Sequence, residues 1–267
     1  MQLNNSVQEI NFVCNICGTS NNIPPKSFHR ELAFCSKCRS NARFRGLIHA
    51  LSTGLFNRSI YLSDFPEDKS KRGIGMSDWQ GYANILMSKF DYHNTFYDRA
   101  PLLDIMSDDY PSFTNLDFII STDVLEHVVG APSKAFQNIY AMLAPDGLFV
   151  FSVPYYRGVK TIEHFPELNK FEIFNFFNRK ILVNETSNGE LEVFENLIFH
   201  GGEGSTLEMR VFAETDIFKM LEISGFHSIQ IFDEPILPIG YYWPPLYGQK
   251  VQNTDQPLLG YIITARK

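Results

Sequence analysis

The cysteines constrain this chain most: there are four in 267 residues, and all lie within the first 38. They read Cys14-x2-Cys17, seventeen intervening residues, then Cys35-x2-Cys38. Each C-x2-C pair can aim two thiolates at one tetrahedral ion. The segment between the pairs folds back to supply the second two, so the spacing predicts a four-cysteine zinc site. Gly18, directly after Cys17, suits the left-handed turn such a knuckle needs. Two disulfides and a redox pair are the competing readings. The start of the chain, Met-Gln-Leu-Asn-Asn-Ser, has neither the basic nor the apolar stretch of an export signal. The expected location is therefore cytoplasmic, where thiols stay reduced. Neither pair opens a helix in a βαβ pattern, which weakens the redox reading. With four thiolates the ion has no open position, so zinc on Cys14, Cys17, Cys35 and Cys38 is expected to be structural.

Charge divides the chain in the same place. Residues 1–48 carry six basic residues (Lys26, Arg30, Lys37, Arg39, Arg43 and Arg45) against Glu9 and Glu31, a net +4, which leaves −11 of the total −7 on the remainder. A basic head permits an anionic partner, but the acidic body argues against wrapping a nucleic acid. No apolar run reaches the roughly 18 residues of a membrane span, so no membrane partner is expected. The expected division is a zinc ribbon with the start of a linker helix over 1–48, then a main domain over 49–267.

Apolar spacing predicts a helix from Asn41 to about Leu51 through Phe44, Leu47, Ile48 and Leu51. Ser59–Phe65 reads as a short strand. Arg72-Gly-Ile-Gly-Met-Ser-Asp78 reads as a glycine turn opening a helix through Tyr82, Ile85, Leu86 and Phe90, with a strand over Tyr92–Tyr97. Residues 116–154 are the best marked. Leu116–Ser121 is a buried-strand run, and Pro132-Ser133 opens a helix through Ala135, Phe136, Ile139, Tyr140 and Leu143. Asp146-Gly147 turns the chain, and Leu148–Val153 is a second strand stopped by Pro154. This is a βαβ unit, so a parallel sheet with helices on both faces is expected. Residues of about 155–209 break the pattern and read as an insertion over the ligand-binding edge. They include a hairpin, Lys180–Asn184 against Leu191–Phe194, turned at Asn188-Gly189. A helix over Thr215–Ser224 and strands at Phe226–Phe232 and Tyr261–Ala265 complete the sheet.

In an open α/β sheet, ligands bind beyond the carboxyl ends of the strands. The residues expected there are Gly73, Gly75, Ser77 and Asp78; Asn94, Thr95 and Asp98; Asp104; and Asp123 with Val124-Leu125-Glu126-His127. Here the sequence resembles a known family. Asp117-Phe-Ile-Ile-Ser-Thr-Asp-Val-Leu-Glu-His127, followed by Ala141-Met-Leu-Ala-Pro-Asp-Gly-Leu-Phe-Val-Phe-Ser-Val-Pro154, is similar to the stretch after the fourth and fifth strands of class I S-adenosylmethionine-dependent methyltransferases. The resemblance covers about forty contiguous residues and, more loosely, most of 60–267. Some members of that superfamily also carry a zinc-ribbon head.

The resemblance implies a Rossmann-like sheet, S-adenosylmethionine as cofactor, and roles for the residues above. Gly73, Gly75, Ser77 and Asp78 would hold the methionine part, and Asn94, Thr95 and Asp98 would lie near the ribose. Asp104 would accept from the adenine amino group beside Ile105, and Asp123, Val124 and Leu125 would line the pocket near the sulfonium. The family's G-x-G-x-G is reduced to Gly73-Ile-Gly75-Met-Ser77. In a second register, Ile60–Ser63 is the first strand and Asp78 binds the ribose; the short linker Glu67–Arg72 favours the first register.

Methyl transfer aligns an acceptor, excludes water and often removes one proton. The candidate bases are His127, His164 and His200, the last in a Gly-rich loop. Asp123, Glu126 and His127 form an alternative divalent-ion site. The expected acceptor is a small molecule or a saccharide. RNA or protein docked through the basic head, and a non-catalytic binding protein with a decayed cofactor site, are the alternatives.

Overall fold

The structure is a computed structural model that describes residues 9–24, 28–32, 34–109, 113–177, 179–200, 206–243, 250–251 and 254–267. The chain begins with β1 (Ile10–Val13) and β2 (Ser20–Ile23), an antiparallel hairpin, then α1 (Ala42–Phe56). There follow β3 (Asp68–Met76), α2 (Gln80–Lys89), β4 (Phe90–Thr95), β5 (Leu116–Thr122), α3 (Pro132–Met142) and β6 (Leu143–Ser152). Short strands come next: β7 (Tyr155–Tyr156), β8 (Ile162–Glu163), β9 (Lys170–Phe176), β10 (Arg179–Glu185), β11 (Leu191–Phe194), β12 (Phe199–His200), β13 (Thr206–Leu207) and β14 (Arg210–Ala213). α4 (Glu214–Ser224), β15 (His227–Phe232) and β16 (Ile262–Arg266) finish the chain.

The main sheet has six strands in the order β15-β16-β6-β5-β3-β4. β4, β3, β5 and β6 run parallel, and β16 pairs antiparallel with both β6 and β15. Alternation along β6 shows how both faces are covered. Leu148 meets α1, where a Cβ on Gly54 would lie 2.4 Å from its methyl. Phe149 and Phe151 point the other way and pack on Phe136 of α3 at 6.3 and 5.9 Å. Strand side chains alternate by face, so α1 and α3 lie on opposite faces, as the βαβ reading expected.

Several elements end where local chemistry places them. Asn41 caps α1 by accepting from the Phe44 N–H (2.9 Å), and Asn57 closes it in the left-handed region. α4 stops at Gly225, φ 101°. Gly189, φ 86°, turns the β10–β11 hairpin.

Three expectations are corrected. Ser59–Phe65 is no strand: it forms a 3-10 turn over Leu62–Asp64, seated on the head by a Leu62 N–H bond to the Asn15 carbonyl (2.7 Å). Gly73 and Gly75 are not turn residues but lie inside β3, and the turn falls at Ser77, φ 57°. Side-chain room explains this. A Cβ on Gly73 would sit 2.3 Å from the Phe118 ring, and one on Gly75 would sit 1.9 Å from Asp78 Oδ2 and 2.0 Å from the Tyr92 hydroxyl. The second register also falls, because the first parallel strand is β3 and Ile60–Ser63 makes none. β9, which the hairpin reading did not include, adds a third strand beside β10.

Candidate active site and metal centre

In the head, two backbone knuckles present the cysteines. The Cys14 and Gly18 N–H groups bond Thr19 O (2.9 Å) and Cys14 O (2.8 Å), and the Cys35 and Arg39 N–H groups bond Ser40 O (2.9 Å) and Cys35 O (3.0 Å). Gly18 and Arg39 take the left-handed turns, at φ 73° and 64°. Cys14 and Cys38 sulfurs lie 3.6 Å apart and those of Cys17 and Cys35 lie 3.5 Å apart, with all four ligand atoms within 4.8 Å of one another. Those separations exceed a disulfide bond of about 2.05 Å, and all four cysteines are free. They match the sulfur–sulfur edge of about 3.8 Å that a tetrahedron with Zn–S near 2.3 Å requires.

Arg45, fully buried behind the knuckles, bonds the carbonyls of Ser40 (2.7 Å), Ile239 (2.7 Å) and Gly240 (2.8 Å) and lies over the Phe12 ring. Burial pushes its guanidinium down to about 10, opposed by the four cysteines. A cation buried among carbonyls is costly without a counter-charge. Four thiolates around a divalent ion, net −2, would supply one.

The C-terminal ends of β3 to β6 open into a cavity of about 1460 Å³. That exceeds the roughly 300–1,000 Å³ of an ordinary ligand pocket and leaves room for two molecules. Ser77, Thr95, Asp98, Asp104, Ile105, Asp123 and Val124 line one part of it; His127, His164 and His200 line another. Gly73, Gly75, Asp78, Asn94 and Leu125 stand behind this wall. Asn94 and Asp78 exchange two bonds, Asp78 N–H to Asn94 Oδ1 and Asn94 Nδ2 to Asp78 O, both 2.8 Å, which fasten the turn after β3 to β4. The Tyr92 hydroxyl bonds the Asp78 carboxylate, whose burial pushes it up to about 7. Asp104 accepts from the Met106 N–H (2.9 Å), and Asp98 is exposed at the rim beside Arg99.

Two of the three histidines, His164 and His200, converge on one carboxylate outside the expected set. Glu208 accepts from His164 Nε2 (2.8 Å) on one oxygen and from His200 Nε2 (2.7 Å) on the other. Burial would raise the Glu208 carboxyl, but these bonds bring it down to about 2. The same bond to Glu208 raises His200. His127 differs. Its Nδ1 sits 2.8 Å from the Leu207 carbonyl, which assigns the ring proton to Nδ1 and leaves Nε2 as a lone pair. Burial pushes His127 down, which keeps it neutral. Its ring centroid is 5.7 Å from that of His200. Arg210 holds the loop that carries His127, bonding Val128 O (2.7 Å), Gly130 O (2.8 Å) and Glu163 (2.8 Å).

The alternative ion site of Asp123, Glu126 and His127 is not assembled. Among the described residues, the cysteines form the one group of three or more potential ligands whose atoms gather that closely. Asp123 is instead gripped by Arg30 of the head, Nη2 to Oδ1 (2.6 Å) and Nη1 to Oδ2 (2.7 Å), with Arg43 Nε at 3.4 Å. Burial would raise Asp123, but the two guanidiniums hold it well below the usual carboxylate range. Glu126, 1% exposed, is pushed up by burial and by the Asp123 charge. Arg30 and Arg43 of the basic head thus face Asp123, and Glu208 is a residue that no periodicity in the sequence marks.

No helix among the described residues is long and apolar enough to cross a membrane. Among curated proteins, none matches the sequence. Solved structures similar to the chain include the 1,6-didemethyltoxoflavin-N1-methyltransferase of Burkholderia thailandensis with S-adenosylhomocysteine bound. It is 15% identical, with 74% of this chain and 71% of that chain covered and a TM-score of 0.37. An S-adenosylmethionine-dependent methyltransferase of Mesorhizobium loti is 16% identical, with coverage of 76% and 93% and a TM-score of 0.43. The amino pentose methyltransferase CalS10 of Micromonospora echinaspora is 12% identical, with coverage of 89% and 99% and a TM-score of 0.39. The model of the methyltransferase domain family matches residues 53–194. A match over more than half of the chain makes this protein a member of that family, an S-adenosylmethionine-dependent methyltransferase.

Proposed function

We propose that the protein methylates a small polar acceptor of saccharide type, held beside His127 in the part of the cavity that the short strands after β6 cover. The observation that carries this reading is the cavity itself: one continuous space reaches from Ser77, Asp98 and Asp104 to the His127–His200–Glu208–His164 group. A polar molecule small enough to enter suits that lining. The head's arginines weigh against RNA docking, because Arg30, Arg43 and Arg45 turn inward. In this reading residues 1–48 are a zinc-bearing head and 49–267 the transfer domain, with about 155–209 closing the acceptor side.

The residues present fit the cofactor. Asp98 offers a carboxylate for ribose hydroxyls, and Asp104 beside Leu103, Ile105 and Met106 pairs an acceptor with apolar surface for an adenine. Ser77 ends β3 in a left-handed turn at the cavity wall. When bound, S-adenosylmethionine supplies an electrophilic methyl group. The chain's own residues supply position and proton transfer. His127 takes the acceptor's proton at Nε2, its other nitrogen being committed to Leu207. Glu208 holds His164 and His200 in place, and Gly75 with Asn94 keeps the β3 turn close to β4. In the head the four cysteines hold zinc, whose chemistry there is structural.

The test is transfer of labelled methyl from S-adenosylmethionine to a fractionated metabolite extract and, separately, to total RNA. Label in the metabolite fraction supports the reading. Label confined to RNA overturns it.

A further inference from the structure

Arg30 is supplied by the head but spends itself on the sheet. All five of its N–H groups are used: Nε on Gly260 O (2.8 Å), Nη1 on Glu31 (2.6 Å) and Asp123 (2.7 Å), Nη2 on Asp123 (2.6 Å) and Ser152 Oγ (3.0 Å). One side chain thus ties together the ends of β5 and β6 and the approach to β16. Arg43 of α1 completes an alternating quartet, bonding Glu31 through Nε (2.8 Å) and Nη2 (3.0 Å). The bonds continue back to the metal ligands. Asn41 donates to Glu31 (2.8 Å), and its neighbour Ser40 accepts from the Cys35 N–H (2.9 Å) and sits 3.3 Å from the Cys14 and Cys38 sulfurs. Asp123 itself stands in the left-handed region, φ 54°, a conformation a non-glycine residue keeps only where its surroundings fix it.

We propose that Arg30 is a positioning residue for methyl transfer. The head delivers it to Asp123, where it fixes the strand ends that line the transfer cavity, so the head's metal is required for cofactor binding. The head is then a wall of the pocket and not a docking appendage. This rests on the reading that the cavity takes S-adenosylmethionine. Without the guanidinium, Asp123 would face Glu31 and Glu126 with only Arg43 and, when protonated, His200 and His127 to oppose them. A half-buried carboxylate so placed takes up a proton more readily.

The experiment titrates S-adenosylhomocysteine into full-length, zinc-loaded protein by calorimetry between about pH 5 and 8, a range above the ordinary carboxylate value. The wild-type profile, which carries what Asp78 and the cavity histidines contribute, is the baseline. Arg30→Gln, with its zinc retained, should bind on the order of tenfold more weakly or worse, and more weakly still towards acid pH. Arg30→Lys should recover part of the loss, and adding Asp123→Asn to Arg30→Gln should cost little more, since the two act as one unit. Chelating the zinc from wild type should lower affinity as Arg30→Gln does, and returning zinc should restore it. A zinc-loaded Arg30→Gln with wild-type affinity and pH profile overturns the proposal, as does a metal-free chain that binds normally. Should the glutamine variant not fold, the lysine variant and the chelation arm decide. Wild type that fails to bind at all overturns the cofactor reading, and this proposal with it.

Discussion

Replacing Arg45 with methionine keeps most of the side-chain volume and removes a charge that lies wholly inside the protein. Three carbonyls, of Ser40, Ile239 and Gly240, lose their donor. Each buried acceptor left unsatisfied costs about 1–3 kcal/mol. Removing one member of a buried charge pair costs about 3–5 kcal/mol in total, and we expect a loss in that range for the zinc-loaded protein. For a chain of this size that is a fall in melting temperature of roughly 6–20 °C. The informative comparison is with metal-free protein. The anions that Arg45 faces are the four cysteines; a bound ion would hold all four as thiolates, whereas without one burial pushes Cys14 and Cys38 up, towards the neutral thiol. Stripping the metal should therefore shrink the penalty by at least about 1 kcal/mol, more than ordinary non-additivity. Guanidinium unfolding of both proteins, with and without zinc, gives the four numbers. Equal penalties in the two states would refute the charge argument, and a loaded penalty under about 1 kcal/mol would refute the burial argument as well.

Three other expectations follow from the site. Gly75→Ala forces a methyl group onto Asp78 and Tyr92 and should destabilise by about 1–3 kcal/mol; a thermal melt within error of wild type contradicts this packing. The pKa of Asp78 rises from 3.8 to about 7 on folding, so between those values the folded state binds more protons than the unfolded one. Stability should therefore fall as pH climbs from about 4 to 7 and level off above, and Asp78→Asn should flatten that slope; an unchanged slope in urea unfolding removes Asp78 as its source. His127→Gln should lower methyl transfer by about 10²–10⁴-fold with cofactor affinity kept, and a variant that still transfers at the wild-type rate eliminates His127 as the base.

What could be read from the sequence was what local pattern carries. β5, α3 and β6 stand out because apolar runs are bounded by Pro132 and Pro154, and the candidate metal centre because its four cysteines sit in two short repeats. β3 was partly hidden: of Asp68–Met76 only Ile74 and Met76 are apolar, and glycines that avoid a ring and a carboxylate look like turn residues until their neighbours are in place. The three histidines were legible one at a time. The meeting of His164 and His200 on Glu208 was not, because that residue lies 44 positions from His164 and on no periodic face. Arg30 and Asp123 are 93 positions apart. Their pairing is set by how the head packs on the sheet edge, which local spacing does not encode.

In the proposed reading the strand-end cavity holds S-adenosylmethionine, with Asp104 as one of its contacts. Calorimetric titration of the cofactor into wild type and Asp104→Ala tests it most directly. One molecule should bind per chain, with affinity on the order of tenfold weaker for the variant, the loss of about one good hydrogen bond to a charged group. Absence of binding by wild type at millimolar cofactor would rule out a cofactor site in this cavity, and unchanged affinity in Asp104→Ala would remove that residue from the site.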